Sequence, residues 1–102
     1  MIIKVMPEHS STGLWDSETS IMLDDLKLPE SLDHELKEWI KFYEQSFESD
    51  WVTFKPNRTG RLNTWGLDLA HKVKKQFPDN AVEYLGEDEK GVHDLKEIKA
   101  WQ

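Results

Sequence analysis

His9 stands directly before Ser10 and Ser11, and carboxylates cluster at Asp24-Asp25 and at Glu87-Asp88-Glu89. A hydroxyl, an imidazole and a carboxylate are the parts of an acyl-transfer triad, in which the base takes the nucleophile's proton and the acid orients the base. Neighbouring side chains seldom point at one another, however, and the Gly-x-Ser-x-Gly turn that presents a serine nucleophile is absent. Grouped carboxylates suit a divalent cation or acid–base work. Neither group has the spacing of an EF-hand loop, so a solvated acidic loop is the expectation for both. His9, His34, His71 and His93 never fall three or four residues apart, and there is no cysteine to supply a thiolate. The five glycines are scattered and form no phosphate-cradling loop. No metal and no cofactor are therefore expected; a small hydrolase using one histidine and a carboxylate is the catalytic alternative, and an unspecified acidic adaptor or regulatory protein is the non-catalytic one.

The elements that would position these groups follow from hydrophobic spacing. Ile2, Ile3, Val5 and Met6 form a short apolar run ended by Pro7, which predicts a strand over 1–6. Residues 8–20 read as a polar, turn-rich loop that Leu14 and Trp15 would fasten to the body of the protein or, for Trp15, offer to a partner. An extended connector spans Ile21 to Pro29. Ser31 is then a candidate N-cap, with Asp33 in the first turn, where a carboxylate suits the positive end of the helix dipole. Leu32, Leu36, Trp39, Ile40, Tyr43 and Phe47 make one helix face, while Glu35, Lys37, Glu38, Lys41 and Glu44 read as an ordinary solvated face.

Trp51 to Phe54 reads as a short strand or a fastened loop. Leu62, Trp65, Leu69, Val73 and Phe77 predict a second helix, with Gly66 and Ala70 on the same side to let another element come close. Asn57 or Thr59 is its candidate cap; Lys72, Lys74 and Lys75 suit its negative end, and Pro78-Asp79-Asn80 stops it. Ala81 to Leu85 predicts a strand closed by Gly86, and the tail from Leu95 to Trp101 leans toward a hairpin return strand over a helix.

With 102 residues, one domain over 1–102 is expected, and its 11 aromatics, five of them Trp, supply the bulk for one core. The absence of cysteine fits a reducing compartment. No apolar stretch approaches the roughly 18 residues of a membrane span, and the start is too short for a signal-peptide apolar region. A cytoplasmic protein is the expectation.

Charge is unevenly placed. The net charge is −7, but residues 1–50 carry 12 acidic and 4 basic side chains, whereas residues 51–102 carry 8 and 9. An acidic half repels nucleic acid and anionic lipid and draws in cationic partners. Direct nucleic-acid binding and membrane binding are not expected, since the one basic cluster, Lys72, Lys74 and Lys75, sits where a helix end calls for it.

Three pieces in order, Gly13-Leu14-Trp15-Asp16, then Leu26-Lys27-Leu28-Pro29 with Leu32, Leu36, Trp39 and Tyr43, then Gly66 to Ala70 before Val82 to Leu85, resemble small bacterial immunity proteins of contact-dependent growth inhibition systems. The resemblance spans most of residues 13–85. It implies a cytoplasmic antitoxin, not an enzyme, that binds the toxic C-terminal domain of a delivered effector, often a basic nuclease, and neutralises it.

The expected architecture is thus a small α/β domain, a short β-sheet packed against two amphipathic helices through Trp39, Tyr43, Trp65, Leu69 and Phe77. The strands at 1–6 and 81–85 share the sheet, and at least one more strand comes from 51–54 or 95–101. The candidate partner-binding residues are Trp15, Asp16, Glu18, Asp24, Asp25, Glu30 and Asp33.

Overall fold

The computed structural model describes residues 1–45, 58–87 and 93–98. The expected element at 51–54, Phe47, the Asp88-Glu89 turn and Trp101 lie outside them. The chain order is β1 (Ile2–Val5), β2 (Leu14–Asp16), α1 (Glu30–Gln45), α2 (Arg58–Gln76), β3 (Ala81–Glu87) and β4 (His93–Ile98). These strands make one sheet in the order β2-β1-β3-β4. β1 and β3 are parallel neighbours, with Ile3 opposite Val82 and Val5 opposite Tyr84, so the two helices form the crossover that a parallel pair requires. β3 and β4 are an antiparallel hairpin running from Val82 opposite Ile98 to Glu87 opposite His93. The tail is therefore a return strand, beginning two residues before the expected Leu95.

Strand alternation sets what the sheet gives to the core. Ile3 and Val5 of β1 and Val82 and Tyr84 of β3 are buried, while Ile2, Lys4, Glu83 and Leu85 between them are half-buried. Against the buried set α1 presents Leu32, Leu36, Trp39, Ile40 and Tyr43, and α2 presents Leu62, Leu69, Ala70 and Val73. Trp65 and Phe77 pack on the margin of this cluster. The wholly buried Trp39 indole donates to the Leu62 carbonyl at 3.0 Å, so the largest core side chain also joins the helices with its one polar atom satisfied.

Gly66 makes the helix–sheet approach close. A β-carbon there would lie 2.5 Å from the Tyr84 ring and 2.7 Å from the Trp39 ring. Tyr84 reaches past it, and its hydroxyl donates to Asn63 Oδ1 at 2.7 Å. The small-residue side expected of the second helix is where the central strand docks.

Local signals failed at several boundaries. The residues around Leu14 and Trp15 are not simply loop: Leu14–Asp16 is β2, antiparallel to β1 with Lys4 opposite Trp15. Three residues are too few to show a period, and it is pairing with β1 that makes them a strand. Ser31 is not the N-cap, because α1 begins at Glu30 and the Asp33 amide donates to the Pro29 carbonyl at 3.0 Å. A proline tolerates that place, having no N–H to leave unsatisfied. Thr59 likewise lies inside α2, which starts at Arg58. β3 runs past Leu85 to Glu87, since Gly86 pairs with Asp94 rather than ending the strand.

Candidate functional site

The connector between β2 and α1 is more ordered than its sequence suggests. The Asp16 amide donates to the Ile21 carbonyl at 2.8 Å, the Leu23 amide donates to the Leu14 carbonyl at 2.8 Å, and Trp15 bridges Met22. Residues 21–23 therefore cover the outer edge of β2, an edge that would otherwise offer unpaired backbone groups. The return is made by the turn at 17–20, where Ser20 takes a left-handed conformation (φ 61°) and its amide donates to the Asp16 carbonyl. The Thr12 hydroxyl donates to the Leu23 carbonyl at 2.7 Å and accepts the Leu14 amide at 3.3 Å, locking the connector to β2 from within.

Past Leu23 the chain crosses toward α1 and leaves a groove of about 100 Å³. Leu14 and Leu36 from the core form its base, and Leu23, Leu26 and Leu28 of the connector line it. Its polar rim is Ser11, Thr12, Asp24, Asp33 and Lys37. Lys37 Nζ meets Asp33 Oδ2 at 2.9 Å across one helical turn, so the rim's one lysine is already matched by a carboxylate. Asp24, Asp25 and Glu30 are exposed and, among the described residues, enter no salt bridge.

The seven residues expected to meet a partner thus fall into separate places. Asp24 and Asp33 line the groove, while Asp25 and Glu30 lie on the same stretch of connector and first helical turn. Asp16 and Glu18 sit in the turn after β2, where the Glu18 amide donates to Asp16 Oδ1 at 3.0 Å. Trp15 is half-buried, next in the strand to the inward Leu14, and its indole donates to the Met6 carbonyl at 3.1 Å. Composition alone did not find the groove leucines or Ile21, which is 64% exposed beside the acidic stretch. Their signal was the connector Ile21 to Pro29, too irregular for helix or strand yet rich in leucine.

In loop 8–13 the His9 imidazole and the Ser11 hydroxyl are engaged in local contacts. His9 packs edge-on against Tyr43 with ring centroids 5.2 Å apart, and its Nδ1 lies 3.9 Å from Glu44, whose carboxylate also accepts the Ser10 amide at 2.9 Å. Ser11 donates to the Glu8 carbonyl at 2.8 Å. The contacts to Tyr43 and Glu44 hold loop 8–13 onto α1, and the Ser11 bond closes the loop on itself. Among the described residues no three histidine or carboxylate side chains come together to hold a metal ion, and no helix is long and apolar enough to cross a membrane.

A second polar cluster lies between the helices. Glu35 of α1 accepts the Trp65 indole at 3.0 Å and the Lys72 ammonium at 2.9 Å, and Lys72 also meets Asp68 at 3.0 Å. Glu35 is therefore not part of an ordinary solvated face. The hydrogen bond to Glu35, then that to Asp68, holds the Lys72 ammonium above its ordinary pKa, with burial opposing weakly. Lys74 and Lys75 stand in the last turn of α2, as expected for its negative end, and Lys74 donates to the carbonyls of Pro78 and Asn80 in the turn that follows.

Comparison with known families matches residues 1–87 to the model described as Serratia CdiI immunity protein-like. No curated protein and no solved structure matches the chain.

Proposed function

The chain belongs to the Serratia CdiI immunity protein-like family, and from that premise we propose that it is a cytoplasmic antitoxin that neutralises a basic nuclease toxin domain by binding it, without catalysis. The supporting observation is the run of carboxylates at Asp24, Asp25, Glu30 and Asp33, three of them exposed and outside any described salt bridge, along one connector and the helix turn it enters. A domain that grips phosphate backbones is rich in Lys and Arg, and a fixed acidic surface attracts it, speeding encounter and setting orientation. Asp16 and Glu18 extend the same field from the neighbouring turn, and Trp15 adds apolar surface beside them.

The test is protection. The C-terminal domain of the cognate effector is expressed in cells with and without this chain, and the purified pair is assayed for cleavage of DNA and RNA. Survival and inhibited cleavage only when the chain is present support the proposal. A toxin domain that kills and cleaves equally in the presence of excess chain sinks it.

A further inference from the structure

The connector groove combines three features that a solvated acidic loop would not need. It is lined by leucines, it has a definite volume, and its shape is fixed by the Thr12 and Leu14 bonds to Leu23. We propose, resting on the antitoxin reading above, that this groove is the anchor pocket of the interface and takes one aliphatic side chain of the toxin domain, flanked there by Lys or Arg.

Size selects the occupant. At about 100 Å³ the groove is smaller than the roughly 150 Å³ cavity that holds benzene and well below the roughly 300–1,000 Å³ of small-molecule sites. One aliphatic side chain fits, and a cofactor or substrate does not. Chemistry selects the flanks. Asp24 and Asp33 stand on the rim and Asp25 and Glu30 close by, against Lys27 and Lys37, so an apolar residue set among acidic ones would be repelled and one set among basic ones attracted. An apolar side chain that enters a pocket ringed by polar groups gives an interface its water-excluded core within a polar rim. Ile21 precedes Leu23 by two residues on the extended ribbon, hence on the same side, and its 64% exposure extends the apolar surface beyond the pocket.

Lys37 offers the decisive substitution, because its side chain is 72% exposed and lies on the rim. Lys37→Gln removes a positive charge without adding bulk. Lys37→Trp removes the same charge and places an indole at the groove mouth. Attraction of charge alone predicts that both bind an inactivated toxin domain equally well or tighter than wild type. An occupied groove predicts Lys37→Trp weaker than Lys37→Gln by about tenfold or more, since the two share the same loss of charge and differ in the bulk at the mouth. Circular dichroism confirms folding of each. A second reading does not depend on any variant: with 13C-labelled leucine methyls, Leu23, Leu26 and Leu28 should shift on saturation with the toxin domain. Equal binding by both variants, or unmoved Leu23, Leu26 and Leu28 methyls in a saturated complex, overturns the pocket while leaving the antitoxin function standing. Wild-type chain that does not bind the toxin domain overturns both.

Discussion

Glu35 on α1 and Trp65 on α2 share a hydrogen bond of 3.0 Å, and the same carboxylate holds Lys72 two turns further along the same face of α2. One acidic side chain thereby fixes two positions of the neighbouring helix, while Trp39 joins the same helices from inside the core. The pair of helices is thus tied by polar contacts on its rim and by packing at its centre. That rigidity matters for the opposite edge of α1, where Leu36, Asp33 and Lys37 form part of the groove.

Lys72 makes the helix pair sensitive to alkali. Its folded-state pKa is raised above the ordinary 10.5, chiefly by the hydrogen bond to Glu35. The contribution is therefore complete below pH 10.5 and is lost as pH rises through the higher folded value. Urea unfolding of wild type and Lys72→Met across pH 8 to 12 should show a difference that is constant at first and shrinks above about pH 10.5. A difference that stays unchanged to pH 12 would exclude the ion-pair explanation.

Gly66→Ala should destabilise the fold by about 1–3 kcal/mol, the usual range for overpacking a filled core. The added methyl would lie 2.5 Å from Tyr84 and 2.7 Å from Trp39. Both rings are anchored by hydrogen bonds, Tyr84 to Asn63 and Trp39 to Leu62, and so have little room to yield. Equilibrium denaturation measures the loss, and a neutral result would mean that α2 can move off the sheet at no cost.

Thr12→Val removes the hydroxyl that holds Leu23 while keeping nearly the same shape. A loss of about 1 kcal/mol is expected from one partly buried hydrogen bond. The local effect should be larger than the global one: amide exchange at Leu14 and Leu23 should quicken while core amides such as Val82 keep their ranking. Unchanged exchange at Leu23 would show that backbone pairing alone secures the connector.

Asp24→Lys together with Asp25→Lys should slow association with a cationic toxin domain by about tenfold at low salt and flatten the dependence of that rate on ionic strength. Both residues are exposed, so the fold should be unaffected. Stopped-flow mixing at several salt concentrations separates this from a contact effect, which would act on dissociation. Association rates equal to wild type would remove these two residues from the interface.

The sequence by itself determined the two amphipathic helices, the strands at each end of the crossover, the stop at Pro78 and the acidity of the first half. Each is a local property, a period of apolar side chains, a breaker or a count of charges, and it survives any arrangement of the rest. Helix-sized periods over 16 and 19 residues repeat often enough to be unambiguous. β2 has three residues and repeats nothing; it is a strand because Leu14 pairs with Val5. Glu35 looked like a solvated carboxylate until Trp65 and Lys72, 30 and 37 residues further on, were brought to it. The groove is likewise the product of non-local contact, since Leu14, Leu23 and Leu36 become neighbours only when the connector folds back along β2 and α1 closes over it. Spacing along the chain registers which side chains lie together on one element. Which elements meet, and what space they leave between them, is set by packing against partners distant in sequence.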